Sequence, residues 1–505
     1  MKSNDIKRTS GNTLTRRSFV KATVTAAMAG ASCDLSLAGS SLSSSAVQFS
    51  ANPSKPNIVF ILADDLGYGS LNSYGADKKL IRTPHIDRIA NAGMSFTDAY
   101  APASICTPTR YSFVTGRYTW RTELKAGVVN PRDPLLPDPN RATIASWLKE
   151  RGYNTAMIGK WHLGYGDKTP VNLTGKLSPG PLDLGFTYHF SVPQNHGDKW
   201  GVYVENDRVY GLRSERLQPY SKTFYGTQYV GLDAPQRVNK KVMGDLTDKS
   251  VEWLKQQSRE KPFFLYYAPV AVHHPITPSN KMRGMSDAGP YGDFIQDLDM
   301  SVGRLIETLE YMNLMDNTLI IFTSDNGGDI PGTDGQRPED QAIKLGLRIN
   351  GDLRGDKHTI YEGGTRIPFI VSWPGKVKSG TVSNDMISIM DIFATVCEIT
   401  DGKLPDSKDI APDSFSFLPS LMQAENKHER PSLVTSDVRG RQALRKGNWK
   451  YIDNTSGQGE NLGRPQLYDL VKDPSETTDM YDQKPEIAKR LADELDRIRQ
   501  AQATR

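Results

Sequence analysis

From residue 56 onward one hydrophobic pattern returns again and again. In "KPNIVFILADDLGYGS" an unbroken apolar run, Ile58 to Ala63, ends abruptly in Asp64-Asp65 and then Gly67. A short run with no polar alternation reads as a strand buried on both faces of a parallel sheet. "TPHIDRIANAGMSF" predicts a helix starting near Thr83-Pro84 and stopping at Gly93. "TIASWLKERGYNTAMIGKWHLG" gives a helix, Gly152, a strand over 155–158, and a loop with Lys160 and His162. "KSVEWLKQQSREKPFFLYYAPVAVHHP" gives a helix, a strand over 263–268, and a loop with His273 and His274. "VGRLIETLEYMNLMDNTLIIFTSDNGG" gives a helix, a strand over 318–323, and a loop with Asp325 and Asn326. Helices alternating with short apolar strands predict an α/β fold with a large, mostly parallel sheet flanked by helices. Each strand runs out into acids, a lysine or imidazoles. Ligand sites of open α/β sheets lie at the carboxyl ends of strands, so these loops can meet in one crevice.

Past about residue 430 the pattern changes. "RQALRKGNWKYID" and "PQLYDL" read as strands of a short antiparallel sheet. "KPEIAKRLADELDRIRQAQ" reads as an amphipathic helix, with Ile487, Leu491, Leu495 and Ile498 forming an ordinary core stripe. The expected organisation is a leader and linker over 1–52, a catalytic domain over 53–428, and a smaller α+β C-terminal domain over 429–505.

Composition changes this picture mainly at the N-terminus. The 505 residues are 37% hydrophobic and 24% charged, ordinary for a soluble globular protein. The net charge of +4 originates in the first 48 residues, which hold six Lys/Arg and two acids; the rest of the chain is balanced. No basic footprint for nucleic acid remains. "TRRSFVK", followed by a mildly apolar run to about Ala31, resembles a twin-arginine leader, so the protein is expected to be exported, periplasmic or secreted. That run is too short to span a membrane. Cys33 is a conceivable lipid-attachment site, but Gly30-Ala31-Ser32 lacks the usual leading aliphatic residue. A Ser-rich linker follows. Of three cysteines only Cys106 and Cys397 lie beyond the leader, so there is no disulfide framework. Cys397 sits in the apolar helical pattern "DIFATVCEIT" and reads as a core thiol. Cys106, in "SICTPTRYSFVTGRY", has no such explanation.

The acids suggest a cation. Asp64, Asp65, Asp325 and Asn326 offer four oxygen donors from two strand ends, and adjacent buried carboxylates repel unless a cation joins them. Hard oxygen donors suit Ca²⁺ or, less well, Mg²⁺, and not Zn²⁺. Taken singly, His162 and His273 read as structural histidines, and Lys160 and Lys357 as solvated lysines. His85, His189 and His428 keep the structural reading.

Together these stretches resemble the formylglycine-dependent sulfatases, which share the alkaline phosphatase superfamily fold; within them the arylsulfatase and N-acetylgalactosamine-sulfatase branch is the nearest in look. "CTPTR" fits the family's Cys-x-Pro-x-Arg signature, and "TGR" follows at its spacing. "NIVFILADDLGYG", "GKWHLG", "PFFLYYAPVAVHHP", "FTSDNGG" and "LRGDKHTIYEGGTRIPFIVSWPG" match in the family's order from about residue 55 to 375, with a weaker echo in "LRKGNWKYI" and "LYDL".

The resemblance implies a sulfuric ester hydrolase. Cys106 would be oxidised to formylglycine by a maturation enzyme that reads Pro108 and Arg110. One hydroxyl of the hydrated aldehyde would attack sulfur, and the other would later expel sulfate. Asp64, Asp65, Cys106, Asp325 and Asn326 would surround the cation, which polarises the sulfate. Arg110 would support the modified residue. Lys160 and Lys357 would neutralise sulfate oxygens. His273, with Lys357, would protonate the leaving alkoxide, and His162 would take the proton that releases sulfate. Asn195 stands where the family has a small hydroxyl residue, and His196 aligns with a family histidine; both are substrate-binding candidates. His358 replaces a family glycine beside Lys357. The expected substrate is a sulfated glycan or another sulfate ester; the oligomeric state is open. Two alternatives stand: a phosphodiesterase or phosphonate monoester hydrolase on the same fold, and an unmodified glycan-binding relative without catalysis.

Overall fold

The computed structural model describes residues 55–330, 335–423, 430–455 and 463–505. The leader, the linker, Cys33, His428 and the expected domain boundary at 428/429 lie outside the described residues.

The first apolar run forms the strand Asn57–Ala63, buried along its whole length. Successive side chains of a strand point to opposite faces. Here Ile58, Phe60 and Leu62 join one hydrophobic cluster and Val59, Ile61 and Ala63 the other. Phe263–Ala268 does the same, with Phe264 and Tyr266 on the first side and Phe263, Leu265 and Tyr267 on the second. A strand with two apolar faces has to sit between two helical layers, which is why these runs carry no alternation.

Ten strands make the large sheet, in the order Thr381–Ser383, Met94–Phe96, Phe369–Ser372, Thr318–Ser324, Asn57–Ala63, Phe263–Ala268, Asn154–Lys160, Tyr188–Val192, Val204–Glu205 and Arg208–Val209. The five strands from Thr318–Ser324 to Tyr188–Val192 are mutually parallel. Phe369–Ser372 runs antiparallel to Thr318–Ser324, as do the short strands at the far edge to their neighbours. One face is covered by the helices Cys106–Thr115, Ile144–Glu150 and Asp391–Asp401, the other by Pro84–Asn91, Val242–Leu254 and Gly289–Tyr311. Each expected helix and strand is present; the helices read from "KSVEWLKQQ" and "VGRLIETLEYMN" begin earlier than those stretches, at Val242 and at Gly289. Lys160 is the last residue of its strand and not the first of the loop.

A second, antiparallel sheet of four strands runs Leu433–Ser436, Gln442–Lys446, Trp449–Asp453, Gln466–Asp469 in sequential order. The helix Pro485–Gln500 lies on it through Ala488, Leu491, Leu495 and Ile498, while Ile487 is only partly buried. This sheet is stitched to the segment preceding Cys106: Ser104 N–H donates to the Ser436 carbonyl at 2.9 Å, and Ser436 N–H to the Pro102 carbonyl at 3.0 Å. Among the described residues no helix is long and apolar enough to cross a membrane.

Candidate active site

The carboxyl ends of the central strands deliver the site. Asp64 and Asp65 follow Asn57–Ala63, Asp325 and Asn326 follow Thr318–Ser324, and Lys160 ends the strand on the other side of Phe263–Ala268. The fourth contributor, Cys106, is the first residue of a ten-residue helix that is buried throughout. One ligand atom each from Asp64, Asp65, Cys106 and His273 lies within 4.8 Å of the others.

Arg110 sits one helical turn after Cys106, on the same face. Its guanidinium is fully buried and reaches both strand ends. Nε and Nη2 donate to Asp325 Oδ2 at 3.0 and 2.8 Å, Nη2 lies 3.3 Å from Asp64 Oδ1, and Nη1 donates to the Lys160 carbonyl at 2.8 Å. Burial disfavours its charge, but Asp325 and Asp64 outweigh that and hold it protonated. Thr107 adds a second tie, its hydroxyl donating to the His162 carbonyl at 2.9 Å.

The two lysines divide the two adjacent carboxylates. Lys160 Nζ lies 2.7 and 2.8 Å from the oxygens of Asp64, and Lys357 Nζ lies 2.6 Å from Asp65 Oδ2. Burial pushes the Asp64 carboxyl up to about 7 against the pull of Lys160. At Asp65 burial acts the same way, but Lys357 and Lys160 win and hold the carboxyl below its usual range. Lys357 arrives from a segment that packs unusually close. A Cβ on Gly327 would fall 1.8 Å from the Gly363 carbonyl oxygen, so only glycine lets the "DNGG" loop and the "EGG" turn meet. The Lys357 N–H then donates to the Gly328 carbonyl at 3.1 Å.

Three non-glycine residues here hold left-handed backbone: Asp65 (φ 60°), His162 (φ 56°) and His358 (φ 75°). Such conformations are costly for these residues and cluster where a side chain must be aimed at a site.

The histidines differ. His273 Nδ1 lies 2.6 Å from the His274 carbonyl, which can only accept, so Nδ1 carries the proton and Nε2 presents its lone pair. Nε2 is 3.7 Å from Asp65 Oδ2. Burial, then Lys357 and Lys160, hold His273 well below its usual pKa. His162 is also buried and also held well below, by burial and then Lys160, Arg110 and Lys357. Neither of its ring nitrogens has a hydrogen-bond partner among the described residues; the Val129 backbone opposes the shift but lies outside hydrogen-bond geometry. His196 is buried with Nε2 2.6 Å from Thr277 Oγ1, its pKa lowered to about 3 by burial and then Arg237. The Asn195 Oδ1 is buried without a partner among the described residues and makes no bond to the cluster. His358 is exposed, its N–H donating to the Ser104 carbonyl at 2.8 Å. His274 Nδ1 lies 3.2 Å from Asp329. His85 packs against Gly303, His189 bonds the Asn206 carbonyl at 3.1 Å, and Cys397 is a fully buried core thiol, all in keeping with structural roles.

The donor set fits a hard cation. Asn326 Nδ2 donates to Asp65 Oδ1 at 2.9 Å, which leaves its Oδ1 buried with no partner among the described residues, beside three carboxylates. A buried acceptor left unmatched beside acids is what a hard metal ion would satisfy.

The profile of the sulfatase family matches residues 56–402, a span that holds every one of these residues. The chain belongs to the sulfatase family. This sulfatase is a sulfuric ester hydrolase with a metal-binding centre. A second profile, "N-sulphoglucosamine sulphohydrolase, C-terminal", matches residues 354–501, the Lys357 segment and the small sheet. The sulfatase is 37% identical to an N-acetylgalactosamine-6-O-sulfatase of Bacteroides thetaiotaomicron, over 89% of this chain and 94% of the relative. It is 32% identical to human arylsulfatase A, over 83% of this chain and 82% of that one. A sulfatase structure solved in a study of glycosaminoglycan metabolism by Bacteroides thetaiotaomicron superposes with a TM-score of 0.81 at 35% identity, covering 89% of this chain and all of that one.

Some neighbours of the site were not legible beforehand. Tyr266 stands behind Arg110, which holds back the rise that burial causes in its pKa, to about 12. Tyr266 and Tyr267 look equivalent in "PFFLYYA", and only strand alternation against a known face tells them apart. Thr107 and Asp329 carried no signal beyond their proximity to quoted motifs.

Proposed function

We propose that the sulfatase removes sulfate from a sulfated glycan, with Cys106 converted to formylglycine by a maturation enzyme and with Ca²⁺, ahead of Mg²⁺, at the acidic centre. One observation carries the site assignment. Asp64, Asp65 and Asp325 are matched one for one by Arg110, Lys160 and Lys357, all buried in contact. A divalent cation added to this balanced set leaves an excess of two positive charges, the complement of the sulfate dianion that leaves.

The modified Cys106 would supply the nucleophile, and the bound cation would polarise the sulfate and lower the pKa of the attacking hydroxyl. Asp64, Asp65, Asp325, Asn326 and the residue at 106 would hold the cation. With their carboxylates committed to holding the cation, Lys160 and Lys357 would turn to sulfate oxygens and stabilise charge as it develops. Arg110 orients the helix start and keeps the 106 side chain directed at the centre. His273 Nε2, which presents a lone pair in the free site, would take up the proton for the leaving oxygen once the negative ester offsets the field of Lys357 and raises that nitrogen's proton affinity. His162, neutral with both nitrogens uncommitted among the described residues, would accept the proton whose removal releases sulfate. Asn195 and His196 are assigned to substrate only through the resemblance of "SVPQNHGDKW" to the family's loop beside the sulfate.

Two features support a glycan as substrate: the names of the relatives, and the export suggested by "TRRSFVK" in the N-terminal segment. The test is release of inorganic sulfate from a panel of sulfated sugars, beginning with 6-O-sulfated N-acetylgalactosamine, together with mass spectrometry of the peptide containing Cys106 and metal analysis of the active protein. Sulfate release, an aldehyde or its hydrate at 106, and stoichiometric Ca²⁺ are expected. Full activity with only unmodified Cys106, or with Zn²⁺ as the sole metal, contradicts the proposal, and turnover of phosphonate or phosphate diesters alone contradicts the reaction.

A further inference from the structure

Residues 217–232 form an arm whose tip reaches the catalytic cluster. Its two sides are bridged antiparallel at Leu217–Leu232 and Tyr220–Tyr229, and the Tyr220 and Tyr229 rings stack with centroids 5.0 Å apart and planes 11° from parallel. The tip is a closed turn. Thr223 N–H donates to the Thr227 carbonyl at 2.7 Å, Gly226 N–H returns to the Thr223 carbonyl at 3.0 Å, and Tyr225 N–H bonds the Thr223 hydroxyl at 3.2 Å. The rings at the tip, Phe224 and Tyr225, are therefore carried on a shaped turn.

Both rings are half in water, 51% and 44% exposed. Single exposed aromatics are common on protein surfaces. This pair is distinguished by where it stands. Phe224 and Tyr225 are edge to face, 5.2 Å apart, and both rings contact the His274 ring, at 5.0 and 5.8 Å. The His274 ring is in turn 4.5 Å from that of His273. On the opposite side the pair closes on Gly197, where a Cβ would lie 3.2 Å from Phe224 and 3.4 Å from Tyr225. Gly197 directly follows Asn195 and His196. The two rings thus stand against His274, whose ring touches the imidazole assigned to the leaving oxygen, and the group that carries the sulfate has to lie next to that imidazole.

We infer that Phe224 and Tyr225 are specificity-determining residues, a platform for the sugar ring that bears the sulfate. The inference rests on the glycan reading above. Lysines and a cation recognise sulfate but cannot tell one carrier from another. A pyranose presents a C–H face and a rim of hydroxyls. An exposed aromatic face beside the anion site matches the first, and the Tyr225 hydroxyl can meet the second.

The experiment compares the parent with Phe224→Ala and Tyr225→Ala on a sulfated monosaccharide that the parent hydrolyses, on an aryl sulfate, and on inhibition by inorganic sulfate. Each variant is expected to raise KM for the sugar about 5- to 10-fold with kcat within about twofold, because the lost contact is made equally before and during reaction. The inhibition constant of inorganic sulfate is expected to stay at the parent value, since the anion site is untouched, and Phe224→Trp is expected to keep KM low. Leu at either position keeps apolar bulk without a ring face; it replaces Ala if the Ala variants melt early, and is held to the same outcomes. An unchanged KM for the sugar overturns the platform while the glycan reading stands. A rise in KM for the aryl sulfate alone also overturns it, by making an aryl group the occupant. A parent that hydrolyses aryl sulfates but no sulfated sugar removes the glycan reading, and the platform falls with it.

Discussion

His162 and His273 are held neutral for the same first reason, burial, and by the same lysines. Their nitrogens are nevertheless committed differently. His273 donates its Nδ1–H to the His274 carbonyl and has Nε2 left, 3.7 Å from Asp65 Oδ2. His162 stands on a strained φ of 56° behind Lys160 with both nitrogens free of partners among the described residues. This asymmetry yields a test of the two assigned roles. His273→Ala is expected to lose about 10²- to 10⁴-fold on a sugar sulfate, whose alkoxide leaves poorly, and far less on nitrophenyl sulfate. His162→Ala is expected to lose activity alike on both and to show a burst of the first product followed by slow turnover. Rapid-quench kinetics on the two substrates check this; equal losses with no burst would remove the assignment, and swapped patterns would exchange the roles.

At the scale of elements, Arg110 is the main tie between the helix Cys106–Thr115 and the sheet, with Thr107 adding a single bond. Arg110 bridges Asp325, Asp64 and the Lys160 carbonyl, so three strand ends and the helix share one guanidinium. Removing one partner from a buried ion network leaves the others uncompensated, a cost of about 3–5 kcal/mol. Arg110→Met is accordingly expected to lower unfolding stability by about that amount and to abolish sulfate release. Arg110→Lys keeps the charge but not the planar fork, and is expected to recover part of the stability and little of the activity. Urea unfolding of the unmodified proteins checks the first effect separately from catalysis; a midpoint equal to the parent's for the Met variant would show that the tie carries no load. The pattern of the chain foretold the helices and strands themselves, because period and capping are local properties. It did not foretell that Cys106 begins a helix, since "CTPTR" has little amphipathic signal and its helix is buried on every side.

At the scale of the molecule, histidines buried for packing make folding sensitive to acid. His189 bonds the Asn206 carbonyl, lies among Trp161 and Tyr165, and burial lowers its pKa to about 3. The unfolded chain takes up a proton there near the ordinary 6.5 and the folded chain does not. The stability this neutral imidazole contributes is thus complete above pH 6.5 and is lost as pH falls toward 3, reaching about 2 kcal/mol of loss at pH 5. The raised carboxyls of Asp299 and Asp64 act in the opposite sense, so the test is a difference: His189→Gln is expected to show a shallower fall in melting temperature than the parent between pH 6.5 and 4.5. Parallel curves for the two proteins would refute it. What the sequence by itself determined was the α/β plan, the small C-terminal sheet, and which residue types end each strand, together with a motif order specific enough to name the family in advance. These follow from hydrophobic period and from local spacing, which a linear chain displays. What only the tertiary structure decided was partnership. Nothing in the chain says that Lys160 meets Asp64 and Lys357 meets Asp65, that Asn326 keeps an oxygen unmatched among the described residues, that His196 bonds Thr277, or that Phe224 and Tyr225 stand against His274. Those contacts join residues tens to hundreds of positions apart, and they exist because parallel strands gather their carboxyl ends at one edge of the sheet, whatever their distance along the chain.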